Sequence, residues 1–369
     1  MMDRLYIRPI GCVASPQSVD GDAVRLAGGR VYAHRFAVIL RRDGEIVQRD
    51  LVTPATIDMA LARLPDALGP EAEEQWANLR LAHPPLKLPG GRSLPLDQPQ
   101  VMGILNLTPD SFSDGGRFTA SDAAQSHAET MMQAGAAIID IGGESTRPGA
   151  LPVPEDEEAA RVVPAIERCA ELGAIVSVDT RRAAVMNAAV AAGAAILNDV
   201  SALRDPASLE FAASCDAPVV LMHAPGEGED LHASGGYRDP VLDVFDALRA
   251  ARDRAVKAGI ARERIVLDPG IGFGKSLADN LALMNALALF HALGQPLLLG
   301  ASRKRTIAAL SGEAPADRRL GGSLALAMAG FGAGVQLVRV HDVFETVQAR
   351  DVWRGLRDAA LAEFSENSD

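Results

Sequence analysis

The polar residues with the greatest chemical potential in this sequence fall at the ends of short apolar runs. They are Asn106, the Gly142-Gly143-Glu144-Ser145-Thr146-Arg147-Pro148 segment, Asp179, Asn198, Met222-His223, Asp268, Ser302-Arg303-Lys304, and Arg339 with His341. A single Asn or Asp after a strand is often a cap or turn residue. Eight such ends carrying polar groups together point to a shared site. Asp179, Asn198 and Asp268 supply two carboxylates and a carboxamide, a set that matches the donor-rich edge of a flat aminopyrimidinone heterocycle. The other reading of two carboxylates is a metal pair or a general acid/base couple. Arg339 and His341 are one residue apart, so a strand turns both to the same face, where guanidinium and imidazole suit a diphosphate. Their alternative roles are a structural ion pair and a cap. Lys304 adds a flexible cation.

Two glycine-containing segments need separate treatment. Gly270-Ile271-Gly272-Phe273-Gly274-Lys275-Ser276 looks like a phosphate-binding loop, but Pro269 stands where the leading glycine is required, so the spacing fails. Residues 106–116 are long and polar for a connection between a strand and a helix, where ~2–6 residues are usual. Such excess length at a catalytic face is expected of a lid.

These residues need a scaffold that brings eight strand ends together. Apolar, β-branched runs at 101–105, 137–141, 175–179, 194–198, 218–222, 265–268, 296–300 and 335–341 alternate with amphipathic Ala/Leu-rich stretches. That alternation is the mark of a parallel sheet, and eight repeats predict an α/β TIM (β/α)8 barrel. Its active site belongs at the carboxyl ends of the strands. Residues 1–95 read instead as a small α+β extension, with a hairpin around Asp43-Gly44, two helical stretches at 56–68 and 70–82, and a linker rich in Pro and Gly. This division places the barrel at 96–369.

At 369 residues the chain exceeds the ~250 typical of such barrels. A formal net charge of -12 argues against nucleic acid or an anionic membrane as partner and requires a local positive cluster for any anionic substrate. Cys12, Cys169 and Cys215 are far apart and form no metal-binding or disulfide pattern, which fits a reducing cytoplasm. The first residues lack an apolar core and no segment has the length to span a bilayer, so neither export nor membrane insertion is expected.

The motifs together resemble the dihydropteroate synthase family. The resemblance rests on 101–116, on Ile139-Asp140-Ile141-Gly142-Gly143-Glu144-Ser145-Thr146-Arg147-Pro148-Gly149, and on Ser177-Val178-Asp179-Thr180, Leu197-Asn198-Asp199 and Leu221-Met222-His223. It continues through 267–275, Ser302-Arg303-Lys304 and Arg339-Val340-His341-Asp342-Val343, in family order across the barrel. It implies condensation of a pterin diphosphate with 4-aminobenzoate, releasing diphosphate, through a pterin-methyl cation attacked by the arylamine. Asn106 would ligate Mg²⁺. Thr146, Asp179, Asn198, Met222, Asp268, Lys304, Arg339 and His341 would hold the pterin diphosphate. Phe112, Arg147, Pro148, Phe273 and Ser302 would form the 4-aminobenzoate pocket, and Asp110, Asp179, Asp268 and Lys304 the catalytic set. The same resemblance implies a homodimer and sensitivity to sulfonamides. Departures are Ala224-Pro225-Gly226 after the Met-His pair, Arg305 in place of a serine after Lys304, and the extension. A pterin-dependent methyltransferase and a non-catalytic pterin-binding module are the competing readings. Ser302-Arg303-Lys304 with the Thr108 loop speaks against the first, and the presence of Asn106, Lys304 and Arg339 against the second.

Overall fold

The computed structural model describes residues 3–13, 23–107, 120–145, 149–226 and 230–362. The chain begins with strands β1 (Asp3–Val13), β2 (Val24–Arg25), β3 (Tyr32–Arg42) and β4 (Glu45–Val52). β1 pairs antiparallel with one edge of β3, and β2 and β4 pair with the other. The expected hairpin turns at Asp43 and Gly44, whose φ values of 48° and 92° are both positive. That pair of conformations matches the twist of the flanking strands, and Asp-Gly adopts it at little cost.

Helices α1 (Ile57–Leu61) and α2 (Gly69–Arg80) follow. The polar Gln75 of α2 is buried because its amide completes the backbone of β1: Oε1 accepts from Ile7 N–H at 2.9 Å and Nε2 donates to the Leu5 carbonyl at 2.7 Å. Trp76 packs edge-on against Phe36 of β3, with centroids 5.0 Å apart. The prolines and glycines that read as a linker instead turn a small hairpin, β5 (Leu86–Lys87) and β6 (Ser93–Leu94). It buries Leu86, Leu88, Leu94 and Leu96 against Met102, Ile138, Ile196, Val220, Val266, Leu298 and Leu337. Most of those partners open their strands, so the hairpin plugs the amino-terminal mouth of the barrel.

Eight parallel strands form that barrel: β7 (Gln100–Asn106), β8 (Ile138–Gly142), β9 (Val176–Asp179), β10 (Ile196–Asp199), β11 (Val219–Met222), β12 (Ile265–Asp268), β13 (Leu298–Leu299) and β14 (Leu337–Val340). Each of the eight runs read from the sequence overlaps one of them. Neighbours pair in the order β12-β11-β10-β9-β8-β7-β14-β13, and a single parallel bridge, Leu267 to Leu297, joins the two ends of this row. Helices α3 (Ala120–Gln133), α4 (Glu155–Glu171), α5 (Ala183–Ala191), α6 (Pro206–Ser214), α7 (Pro240–Lys257), α8 (Leu277–Met284), α9 (Arg305–Leu310) and α10 (Leu320–Gly332) connect the strands, and α11 (Val343–Ala362) follows the last one. Their starts follow local chemistry. Asp205 caps α6 by accepting from Ser208 N–H at 2.8 Å, and Ser276 and Asp279 form a reciprocal capping box at α8.

The amino-terminal sheet packs on α7 and on the segment after α8. Tyr6 donates its hydroxyl to Asp246 at 2.8 Å and meets Phe245 edge-on at 5.4 Å, while Arg41 pairs with Asp243 at 2.6 Å. Asn78 donates to the Ala292 carbonyl at 3.0 Å, and Arg8 to that of Asn285 at 3.1 Å. If Gln75 is the bolt between α2 and β1, Gln75→Ala, which strands a buried N–H and carbonyl, lowers the unfolding free energy by ~1–3 kcal/mol. Urea denaturation of the full chain measures this, and a change indistinguishable from zero contradicts it.

Candidate active site

A buried ion cluster lies at the carboxyl end of the barrel. Arg339 on β14 donates Nε to Asp140 Oδ2 at 2.6 Å and an Nη2 hydrogen to Asp179 Oδ2 at 2.7 Å. Asn198 on β10 donates its Nδ2 to both Asp140 oxygens, at 3.3 and 3.4 Å, which leaves its own Oδ1 as an acceptor. Asp140 is fully buried in the middle of β8, and Asp179 at the end of β9 is nearly so. Burial disfavours the charge on Asp179; Arg339 offsets this and Asp140 reinforces it, so its pKa is pushed up to about 7. Burial works against the charge of Arg339 too, but the carboxylates of Asp140 and Asp179 outweigh it and hold its pKa above the ordinary value. Asp179 Oδ1 has no hydrogen-bond partner among the described residues. A buried acceptor left unpaired is costly, which makes this oxygen a natural seat for a ligand donor.

Asp268, at the end of β12, extends the cluster on its other side. Its Oδ1 accepts from Gly270 N–H at 2.7 Å, and burial raises its pKa against the pull of Lys304. A methyl group built on Gly300 would lie 3.7 Å from Asp268 Oδ2 and 3.9 Å from Arg339 Cβ, so Asp268 and Arg339 both border Gly300. Lys304 bonds the Ile271 carbonyl, and its Nζ stands 4.5 Å from the centroid of the Phe273 ring. Burial pulls its pKa down to about 8. The His232 imidazole stacks on Phe273 at 4.9 Å with an 11° interplanar angle.

The segment that resembles a phosphate loop has a different local role. Lys275 turns its Nζ onto three carbonyls, Gly270 at 2.8 Å, Phe273 at 3.0 Å and His223 at 3.2 Å, and so locks the β12–α8 connection to the end of β11. Gly270 must be glycine: its φ is +68°, and a Cβ would meet the His223 carbonyl oxygen at 1.9 Å. Met222 is buried with Val200, Ala224, Leu231 and Phe273. His223 is also buried, which lowers its pKa to about 3 and keeps the ring neutral.

On the opposite wall, Ser302 Oγ lies 3.0 Å from His341 Nδ1 and accepts from His341 N–H at 3.2 Å. Arg303, with φ at 56°, pairs with Asp342 through two hydrogen bonds, one of 3.0 Å. Asn106 ends β7 beside Gly142, where an added methyl would be 3.7 Å from Asn106 Oδ1 and 3.4 Å from Asp179 Cβ. Asn106, Phe273, Ser302, Lys304, Arg339 and His341 line one open cleft of about 1280 Å³. Asp179, Asn198, Met222 and Asp268 lie buried behind it, the first two tied to it through Arg339. Asp110, Phe112, Thr146, Arg147 and Pro148 fall outside the described residues.

Two members of this arrangement escaped the sequence reading. Asp140 is a charged residue inside the run Ile138-Ile139-Asp140-Ile141, at the parity that faces the barrel interior, and that mismatch was a usable signal. His232 sits in a connection with no periodicity, and nothing in the sequence marked it.

A family model described as pterin binding enzyme matches residues 102–341. The dihydropteroate synthase of Escherichia coli (strain K12) is 46% identical over 263 residues, covering 71% of this chain and 93% of that protein. The chain belongs to the dihydropteroate synthase family. A dihydropteroate synthase of Xanthomonas albilineans solved with 4-aminobenzoic acid superposes with a TM-score of 0.71 at 47% identity, covering 74% of this chain and 99% of that one. One from Yersinia pestis in a sulfonamide drug complex gives a TM-score of 0.70 at 45% identity, covering 74% and 100%. The family match begins two residues into β7, so the sheet and helices of the extension lie outside it.

Removing the shared cation tests the cluster. Arg339→Met leaves two buried carboxylates facing each other and costs ~3–5 kcal/mol at pH 8. The folded Asp179 binds its proton up to about pH 7 and the unfolded one only below its ordinary value of 3.8, so the folded state gains relative stability as pH falls through that window. Without Arg339 to pull the Asp179 pKa down, the variant takes up that proton from a higher pH than the wild type, so its deficit narrows between pH 8 and pH 5. Denaturation of both proteins across this range checks the sign, and a deficit that grows towards pH 5 contradicts it.

Proposed function

We propose that this chain is a dihydropteroate synthase, joining 6-hydroxymethyl-7,8-dihydropterin diphosphate to 4-aminobenzoate with release of diphosphate. The observation that carries this reading is the convergence of Asp179, Asn198, Asp268, Lys304 and Arg339 at one end of a barrel whose sequence belongs to that family. Pterin-dependent methyl transfer and non-catalytic binding are not favoured.

Asp179 Oδ1, Asn198 Oδ1 and Asp268 accept hydrogen bonds from the N–H edge of the pterin, and Met222 packs behind its ring. Lys304 donates to the ring's acceptor side. Arg339 uses Nε and Nη2 for Asp140 and Asp179 and keeps Nη1 for a phosphate oxygen, with His341 beside it. As the bond from the methylene carbon to the diphosphate oxygen breaks, these cations take up the charge that develops on the leaving group. The arylamine nitrogen then bonds to that carbon and sheds a proton. Phe273 and Ser302 shape the pocket for its ring. Asp110, Phe112, Thr146, Arg147 and Pro148 are proposed, on the family resemblance alone, to serve the two substrates and to exclude water.

Among the described residues no group of three or more His, Cys, Asp or Glu could hold a metal ion. Asn106 Oδ1, a neutral oxygen donor lining the cleft, would hold a hard cation such as Mg²⁺. When bound, the ion offsets the charge of the departing diphosphate. The catalytic unit is proposed to be the barrel from about residue 96, with residues 1–95 a packing extension. A homodimer is supported by the apolar stripe of Phe344, Val352 and Leu356 exposed along α11. A cytoplasmic location fits Cys12, Cys169 and Cys215, none of which is paired.

Purified protein is expected to release diphosphate only when pterin diphosphate, 4-aminobenzoate and Mg²⁺ are all present; release that ignores the arylamine, or none at all, overturns the assignment. Sulfonamides should compete with 4-aminobenzoate in the same assay. Lys304 is charged below about pH 8 and neutral above it, so affinity for the pterin diphosphate should weaken as pH rises through 8. Lys304→Arg should carry that weakening to higher pH, and an unshifted profile would remove Lys304 from the assignment.

A further inference from the structure

The strand that leads to Lys304 is the shortest of the barrel. β13 pairs with β14 at Leu298–Leu337 and Leu299–Val338, and the Leu267–Leu297 bridge joins it to β12. Leu297 donates its N–H to a side chain, Gln336 Oε1 at 2.9 Å. So short a strand takes much of its position from the chain that enters it. That chain is a 3-10 turn, Leu287–Leu293, in which every residue is buried. The last carbonyls of such a turn lack partners within it. Here Ala292 O accepts from Asn78 Nδ2 at 3.0 Å and Leu293 O from Arg252 Nη1 at 2.6 Å. Arg252 belongs to α7 of the barrel, but Asn78 belongs to α2 of the extension.

Asn78 also fits the turn by shape. Gly294 follows it with φ at 83°, and a Cβ there would lie 2.7–2.8 Å from Cγ, Oδ1 and Nδ2 of Asn78, so the amide lies flat against the glycine. A row of rings, Tyr6, Phe245 and Phe290, continues the contact with centroids 5.4 and 6.2 Å apart. Residues 295–302 are buried throughout, which leaves the chain little slack between Gly294 and Lys304. Asn78 lies outside the family match, and the Escherichia coli relative, matched over 93% of its length, has too little chain left to hold the extension. We propose that Asn78 is a positioning residue for the reaction: by holding Ala292 and Gly294 it sets the entry into β13 and, through that strand, the place of Lys304. This assignment rests on the proposed reaction, in which Lys304 binds the pterin diphosphate.

The test uses the full-length protein with Mg²⁺ as wild type, Asn78→Ala and Asn78→Asp. Alanine suits the helix, and aspartate keeps the shape while losing the donor. KM for the pterin diphosphate should rise at least about threefold in both variants, a small part of the ~100-fold that a 1 Å misplacement can cost. Loss of folded protein alone would lower the apparent kcat and leave KM unchanged. Deuterium exchange at the amides of 297–304 should quicken in both variants, with those of β8 and β9 unaffected. A folded variant with the wild-type KM, or with wild-type exchange over 297–304, overturns the role of Asn78 and leaves the reaction intact. If the wild type makes no product from pterin diphosphate and 4-aminobenzoate, the reaction itself is misread and the role of Asn78 in it falls too.

Discussion

One guanidinium shared between two buried carboxylates organises the carboxyl end of this barrel. Arg339 reaches Asp140 and Asp179 from across the interior, and Asn198 joins through Asp140, so residues from β8, β9, β10 and β14 are bound into one network. Two acidic groups against one cation leave the cluster short of positive charge. Burial, reinforced by the second carboxylate, keeps the proton affinity of Asp179 high, and its Oδ1 has no hydrogen-bond partner among the described residues. A ligand that brings hydrogen-bond donors to Asp179 Oδ1 would extend this network. Asp268 and the half-buried Lys304 show the same effect beside the cluster, with desolvation raising the carboxyl and lowering the ammonium.

Much of this was legible in the sequence, because the strands of a parallel barrel are apolar on both faces. A polar residue at the end of such a run stands out, and Asn106, Lys304 and Arg339 do line one cleft with Asp179, Asn198 and Asp268 buried behind it. The Asp43-Gly44 hairpin was equally readable from its turn chemistry. Other features depend on tertiary contacts that carry no local signal. The 86–94 segment looks like a linker by composition and becomes a plug only because four leucines find the open bottom of the barrel. Lys275 looks like a phosphate ligand by neighbourhood and proves to be a bolt for three carbonyls. Asp140 was visible as a charge in an isoleucine run, but its role needed the opposite strand.

The extension poses a different problem, since the family match does not reach it. Its contacts include α7 and the segment between α8 and β13, next to the seam where the Leu267–Leu297 bridge closes the ring, and Arg30 also pairs with Asp358 on α11. Asn78 and Arg8 hold carbonyls of that segment, which leads into β13 and then into Ser302, Arg303 and Lys304. The added sheet and helices thus brace the side of the barrel from which the site lysine emerges.

A crystal structure of the protein with pterin diphosphate and Mg²⁺ bound would test the account most directly. It should place the donor edge of the heterocycle on Asp179 Oδ1, Asn198 and Asp268, with a phosphate oxygen on Arg339 and the metal on Asn106. A pterin bound away from the Arg339 cluster, with Asp179 Oδ1 still unpaired, would contradict it.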